Sequence, residues 1–175
     1  MLDVQSRAYR QQYGKNFVTL TPNNIFGPHD NFHLEDGHVI PSLIRKFYEA
    51  KINKEKVVLW GDGTPLRQFT YSLDIARIIL WAMHHYNDAY PMNIGNSEEF
   101  SIKQIAEIIA SKMSYDKEII WDTSKPNGQF KKPVSFRKLE KFGYSNEFTK
   151  IEFALNQTCN WFKKQYPNIR GIQNE

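Results

Sequence analysis

Residues 22–41 read PNNIFGPHDNFHLEDGHVIP, and the rest of the chain is organised around them. The stretch holds three of the five histidines, a turn at Gly27-Pro28 and a second turn at Asp36-Gly37. No apolar period of about 2 or 3.6 runs through it, so the pattern predicts one long loop. Long loops in compact domains are usually functional or disordered. The large apolar side chains here argue against disorder, so we expect a functional loop.

Helices and strands alternate on both sides of this loop, which predicts the α/β class. Apolar periodicity and capping residues predict helices at 2–13, 41–50, 72–86, 101–113, 136–142 and 149–166. Short β-branched and aromatic runs predict strands at 17–20, 57–60, 67–71, 91–94 and 118–121. The pairs Ser101 with Gln104 and Thr149 with Glu152 each predict a capping box. The apolar helix from residue 72 is expected to be buried on most sides.

Length and composition restrict the class of protein. The chain has 175 residues, of which 41% are hydrophobic, and a formal net charge of +4. Its basic residues are scattered, which favours a phosphate-bearing small ligand over a nucleic acid. Cys159 is the only cysteine, so we expect no disulfide and a reducing compartment. No apolar run reaches the roughly 18 residues of a membrane span, and no signal peptide is visible. These features predict a cytoplasmic protein with neither a membrane nor a nucleic-acid partner.

The histidines of the loop admit two kinds of chemistry. His29 and His33 would share a face as metal ligands only on a helix, and Gly27-Pro28 argues against one there. We therefore expect no metal site. His38 precedes a helix start and could act as a general acid or base, because imidazole titrates near neutral pH. It could equally be a surface histidine that only hydrogen-bonds the loop, and the residues alone do not separate these alternatives.

Three further side chains carry a weaker signal. Arg67 follows the Gly61–Gly63 turn, and its guanidinium could bind a phosphate bidentately. The favoured alternative, from the residues alone, is a solvated arginine at a strand edge. Lys46 has the same ambiguity. Trp60 is more often part of a core than a platform for stacking, and we expect it there.

Four blocks together carry a resemblance: PNNIFGPHDNFHLEDGHVIP, VVLWGDGTPLRQFTYSLDIAR, SIKQIAEIIA and SKPNGQFKK. They resemble the C-terminal half of the GDP-L-fucose synthase family of extended short-chain dehydrogenases. Such enzymes convert GDP-4-keto-6-deoxy-D-mannose to GDP-L-fucose by 3,5-epimerisation and NADPH-dependent 4-reduction. The resemblance implies the C-terminal part of a Rossmann-like doubly wound sheet with a smaller α/β substrate-binding lobe. It assigns residues 1–40 to the last part of the NADP-binding domain and 41–175 to the GDP-sugar lobe, with interleaved elements, and it implies a homodimer.

The resemblance also implies roles for individual residues. His38 matches the acid/base of the epimerisation and lies beside the cofactor. The other positions that it assigns to NADP(H) are Pro22, Asn23, Asn24 and Ile25. The positions that it assigns to the GDP-sugar are Asn24, Val39, Leu43, Lys46, Trp60, Arg67 and Asn127. An aspartate is usual at position 127 in the family, so the nucleotide contact of the neutral Asn127 is in doubt.

Several parts of the family pattern are absent from the sequence. The glycine-rich cofactor loop, the catalytic serine, the Tyr-x-x-x-Lys pair and the cysteine that partners the histidine do not occur. The first helix also has no capping residue before Leu2. We therefore expect a truncated or separately encoded piece that is inactive alone and binds NADP(H) only with the missing N-terminal half. The alternatives are a non-catalytic GDP-sugar-binding module and a fragment of another NAD(P)-dependent sugar-nucleotide epimerase.

Overall fold

The computed structural model describes residues 1–172. In chain order the elements are α1 (Leu2–Tyr13), β1 (Leu20–Pro22), β2 (Asn24–Phe26), α2 (Val39–Asn53), β3 (Val57–Trp60), β4 (Leu66–Tyr71), α3 (Ser72–His85), β5 (Met92–Ile94), β6 (Glu99–Ser101), α4 (Ile102–Met113), β7 (Ile119–Asp122), α5 (Arg137–Lys141) and α6 (Ile151–Gln165). The strands form two parallel pairs, β1 with β5 and β3 with β7, and a three-stranded sheet of order β2-β4-β6. This alternation confirms the predicted α/β class.

The chain divides into two compact units that alternate along the sequence. The first unit comprises residues 1–25, 68–98 and 133–148, and the second comprises 26–67, 99–132 and the chain from 149 onward. The sequence predicted a functional division at residue 40 with interleaved elements. That functional division stays a prediction. The compact units have other boundaries, since the chain passes from one unit to the other after residues 25, 67, 98, 132 and 148.

In the first unit, α3 and α5 cover the parallel pair β1–β5, in which Leu20 is in register with Met92. Their shared core is Ile75, Ile78, Ala82, Tyr86, Met92, Ile94, Phe136, Leu139 and Tyr144. The expectation that α3 is buried on most sides is wrong, since Leu80 and Met83 are 62% and 67% exposed. Its sequence is apolar around most of the helix, but only one face meets the core of this unit.

In the second unit, α2, α4 and α6 pack on one another, and α2 also packs on β3. The centre is fully buried and consists of Ile44, Phe47, Ile105, Ile109, Leu155 and Phe162. The capping box of α4 is confirmed, because Ser101 and Gln104 exchange both expected hydrogen bonds. For α6 the N-cap is Lys150, one residue after the predicted Thr149, and the Lys150 side chain makes no capping hydrogen bond.

The stretch 22–41 is less irregular than predicted. It contains β2 and the first turn of α2, which begins at Val39 and not at Pro41. Proline is tolerated there because the first backbone N–H groups of a helix have no intrahelical acceptor. The predicted strand 17–20 lies later, at β1, and β6 was not predicted. Among residues 1–172, no helix is long and apolar enough to cross a membrane.

Candidate functional site

One face of α2 carries three of the predicted substrate residues. Val39, Leu43 and Lys46 are spaced by four and three positions, which places them on a single helical stripe. Val39 is 40% exposed, whereas Leu43 is only 5% exposed and has little surface to offer a ligand. Lys46 is half-buried, and this burial lowers the pKa of its ammonium group. It lines a cavity of about 270 Å³ whose walls include residues at the end of α2 and the start of β3.

The outer face of β3 is apolar and exposed. Val57 and Leu59 are buried, so strand alternation turns Val58 and Trp60 outward. Trp60 is 69% exposed, and the expectation that it lies in a core is wrong. Ile120 stands in register with Val58 on the neighbouring strand β7 and is also exposed. The second unit therefore presents an exposed apolar surface that includes the indole ring of Trp60.

The turn after Trp60 is held by Asn127. The backbone N–H of Asp62 donates to Asn127 Oδ1 at 2.8 Å, and Thr64 donates to Asp62 Oδ1 through both its backbone N–H and its hydroxyl. The hydrogen bonds from Thr64 are the main reason that the pKa of Asp62 is lowered. Gly61 has φ +78°, and a Cβ there would lie 2.1 Å from Asn127 Oδ1. Asn127 therefore lies directly against the turn that follows Trp60.

Lys125 lies beside the same exposed tryptophan. Its Nζ is 5.8 Å from the centroid of the Trp60 ring. The cation and the indole are thus close neighbours, and both belong to the second unit. A planar anionic ligand on this surface would meet an aromatic face and a positive charge together.

Arg67 is partly fixed by the backbone around it. Its Nη1 donates to the carbonyl of Leu66 at 2.7 Å and approaches the carbonyl of Phe130 at 3.5 Å. Leu66 N–H in turn donates to Phe130 O at 2.8 Å, which joins β4 to the loop that carries Asn127. Both side-chain bonds use Nη1, so they do not engage Nε or Nη2. Those two nitrogens form the edge of a guanidinium that can bind an oxyanion bidentately.

His38 is the N-cap residue of α2, with φ −67° and ψ 167°. Its carbonyl accepts from Ser42 N–H at 3.1 Å, and its exposed side chain makes no capping hydrogen bond. The imidazole stands next to Val39, at the start of the stripe that leads to Lys46. The structure gives it a fixed backbone and an accessible ring. Its acid/base role stays a prediction.

The other two loop histidines have structural neighbours. His29 adopts the left-handed conformation, with φ +67°, and its ring lies 4.7 Å from that of Trp161. His33 Nδ1 accepts from the backbone N–H of Asp36 at 3.0 Å and of Glu35 at 3.3 Å. Within residues 1–172 there is no group of three or more histidine, cysteine, aspartate or glutamate side chains placed to hold a metal ion.

Cys159 lies in α6 and is fully buried. Burial raises the pKa of its thiol to about 12. A buried neutral thiol is a poor nucleophile and a poor proton donor. Cys159 therefore does not replace the cysteine that partners the histidine in the resembling family.

The predicted cofactor residues of the first unit lie at the carboxyl end of two parallel strands. Asn23 follows β1, and its Oδ1 accepts from Thr70 Oγ1 at 2.6 Å while its Nδ2 donates to Asn96 O at 3.1 Å. Gly95 follows β5, where a Cβ would lie 2.4 Å from Asn23 Oδ1. Asn24 Nδ2 donates to the carbonyl of Gln68 at 2.8 Å. These bonds were not predicted, although polar residues inside the strand sequence RQFTY could have indicated them.

These residues fit one wall of a dinucleotide site. Ligands of α/β sheets bind outside the carboxyl ends of parallel strands, and the run Pro22–Ile25 starts at such an end because Pro22 is the last residue of β1. A pyrophosphate is usually held by a glycine-rich turn at a helix start, and no G-x-x-G-x-x-G occurs in the 175 residues. Contact between Pro22–Ile25 and a nicotinamide stays a prediction. The other predicted site residues lie in the second unit.

Parallel strand pairs with helices packed on them define an α/β protein. Polar residues at the carboxyl ends of such strands are typical of the nucleotide-binding members of this class. Residues 1–95 match the NAD dependent epimerase/dehydratase family, and the chain belongs to that family. The chain is 42% identical over 172 residues to the GDP-L-fucose synthase of Dictyostelium discoideum, covering 97% of this chain and 54% of that protein. The chain thus spans about half the length of the curated relatives that it matches.

Solved structures agree with this comparison. A GDP-L-fucose synthetase from Naegleria fowleri superposes with a TM-score of 0.92 at 40% identity, covering 97% of this chain and 54% of the other. A second structure of that protein was solved bound to NADP, also with a TM-score of 0.92. The resemblance predicted from the sequence motifs is confirmed, and so is the Rossmann-like fold class.

Proposed function

We propose that this chain is the GDP-sugar-binding portion of a GDP-L-fucose synthase. In this proposal the complete enzyme converts GDP-4-keto-6-deoxy-D-mannose to GDP-L-fucose by 3,5-epimerisation followed by NADPH-dependent reduction at C4. The observation that carries the proposal is the surface of the second unit, where the exposed ring of Trp60 lies beside Lys125 and beside the turn held by Asn127. The named relatives, at up to 42% identity, support the choice of ligand.

Each residue has a proposed task in binding. The open face of Trp60 stacks on a flat part of the ligand, and Arg67 holds the diphosphate with Nε and Nη2. Lys46 adds a positive charge whose partial burial strengthens its attraction to an anion. These contacts fix the sugar relative to the reacting groups, which can contribute several kcal/mol to a reaction barrier.

His38 has the proposed chemical task. The C4 ketone of the substrate acidifies the C–H bonds at C3 and C5, so a base removes one proton and an acid returns a proton on the opposite face. We assign the return step to His38, whose ring is exposed at the start of α2. When bound, NADPH supplies the hydride for C4. Pro22–Ile25 form one wall of its site, and Asn24 also faces the sugar.

Nucleotide binding by the 175-residue chain tests the proposal directly. GDP should change the fluorescence of the exposed Trp60, and the change should be absent in Trp60→Phe. UDP serves as the matched control ligand because it keeps the diphosphate and changes only the base. Preference for GDP supports the proposal over the alternative of another sugar-nucleotide epimerase. Equal affinity for UDP, or no binding to either, would contradict it.

We further propose that the chain alone has no reductase activity, since it lacks a glycine-rich phosphate loop and a Tyr-x-x-x-Lys pair. NADPH oxidation with GDP-4-keto-6-deoxy-D-mannose by the purified chain would overturn this part. The alternative of a non-catalytic GDP-sugar-binding module predicts the same result for the chain alone. Adding a family N-terminal half separates the two, because only an enzyme portion then gains turnover. The predicted homodimer and cytoplasmic location stay predictions.

A further inference from the structure

The loop that leads to His38 is attached to the segment that contains Arg170 and Gly171. Phe32 is fully buried, and its backbone N–H donates to the carbonyl of Arg170 at 3.0 Å. Gly171, with φ +91°, lies under the same loop: a Cβ there would be 2.4 Å from His33 N and 2.4 Å from Asn31 Oδ1. The two segments are so close at this point that no side chain fits between them.

A buried arginine joins the same two segments to α2. Arg45 is 5% exposed. Its Nη1 donates to the carbonyl of Gly171 at 2.9 Å and approaches the carbonyl of Phe32 at 3.5 Å, while its Nε pairs with Glu49 Oε1 at 2.8 Å. A charged side chain is seldom buried to this extent without a structural or functional reason. Here it connects helix, loop and chain end through one guanidinium.

The attachment continues to His38 through a tight turn. Gly37 N–H donates to the carbonyl of His33 at 3.0 Å, and a Cβ on Gly37 would lie 2.2 Å from that oxygen. His38 is the next residue and is already the N-cap of α2. The histidine is therefore fixed from two sides, by the turn before it and by the helix after it.

We propose that Arg45 and residues 169–172, here called the C-terminal clamp, are positioning elements for His38. The clamp touches neither substrate nor cofactor and acts by holding the loop that ends at the histidine. This inference rests on the proposed acid/base role of His38. It adds that the precision of that role depends on residues 169–172, which are far from the histidine in sequence.

Gly171→Ala is the direct test, and Gly143→Ala is its matched control. Both glycines have nearly the same left-handed conformation, φ +91° and φ +92°, so both substitutions introduce the same backbone strain. Only at Gly171 does the added methyl group meet other atoms, because nothing lies within 4 Å of a Cβ at Gly143. A difference between the two variants therefore reports on the clamp and not on glycine conformation in general.

Two measurements on the 175-residue chain decide the question without any ligand. We expect amide hydrogen exchange at Phe32 and Gly37 to accelerate about tenfold or more in Gly171→Ala, with exchange in α4 unchanged. We also expect the ring resonance of His38 to shift or broaden. Gly143→Ala should show neither effect. Unchanged amide exchange would overturn the clamp, and altered exchange with an unchanged His38 resonance would overturn its link to the histidine.

A second variant covers the case in which Gly171→Ala does not fold. Arg45→Lys keeps a positive charge for Glu49 but cannot hold the Gly171 carbonyl with the same guanidinium. It should loosen the same two amides, and wild-type exchange rates there would overturn the proposal. In an enzyme completed with a family N-terminal half, the clamp variants should slow epimerisation while GDP affinity is retained. A chain that shows the exchange response but does not bind GDP would refute the proposed function and leave the clamp standing.

Discussion

Replacing Arg67 with alanine should weaken GDP binding without unfolding the second unit. Its guanidinium is already oriented by Leu66 and Phe130 through Nη1, so little side-chain entropy is lost when Nε and Nη2 take the diphosphate. A hydrogen bond to a charged group contributes about 1.5–3 kcal/mol. Arg67 is only partly buried, and solvent screening favours the lower part of that range. We therefore expect GDP affinity to fall by about 10- to 30-fold.

Isothermal titration calorimetry of the 175-residue chain with GDP measures this loss. Arg67→Lys keeps the charge but loses the two-pronged geometry, so its affinity should lie between those of the wild type and Arg67→Ala. Arg137→Ala removes an exposed arginine of the first unit and is the matched control. Thermal unfolding should show that the variants remain folded, since the backbone bond from Leu66 N–H to Phe130 O does not depend on the side chain. An affinity within about twofold of the wild type would refute the diphosphate contact.

Three other predictions concern neighbouring positions. In an enzyme completed with a family N-terminal half, His38→Gln should slow deuterium incorporation at C3 or C5 by about 10²- to 10⁴-fold. Reduction of an already epimerised ketone should be slowed less. Deuterium incorporation at the wild-type rate would refute the acid/base role of His38. Lys46→Met should raise the free energy of unfolding at neutral pH, because burial lowers the pKa of Lys46 below its ordinary 10.5 and makes the charge unfavourable in the folded state. The same substitution should weaken GDP binding, because it removes the positive charge. That stability difference should shrink as the pH rises through the lowered pKa, and urea denaturation at about pH 7 and pH 10 checks the sign. Asn127→Asp should keep the turn and tighten GDP binding by about two- to tenfold. Weaker GDP binding in calorimetry would contradict the expected role of residue 127 as a hydrogen-bond acceptor for the nucleotide.

Features set by near neighbours in the chain were predicted well. The capping box at Ser101 needs only Gln104, three residues on, and it was correct. Thr149 offers the same pattern, but the backbone enters α6 one residue later, and Lys150 with ψ 137° is the N-cap. The pattern contains no information about that backbone angle. Local sequence therefore identified both helices and could fix the start of only one.

Features that depend on distant parts of the chain were not accessible in the same way. Trp60 was expected in a core because tryptophan usually is, and only the alternation of β3 shows that Leu59 points inward instead. The burial of Arg45 was not predicted, because its partner Gly171 is 126 positions away in the chain. The motif resemblance supplied the list of site residues, and their roles in binding and catalysis stay predictions.

Support of the glycine turn by residue 127 does not require an amide. One oxygen of the side chain supports the turn by accepting from Asp62 N–H at 2.8 Å, and an amide and a carboxylate both provide that oxygen. Gly61 cannot be replaced in the same way. It has φ +78°, and a Cβ there would lie 2.1 Å from the same oxygen. Asparagine and aspartate at position 127 therefore both preserve the turn, whereas position 61 requires glycine. Since either residue supports the turn, the proposed nucleotide contact of position 127 can change without a change in the fold.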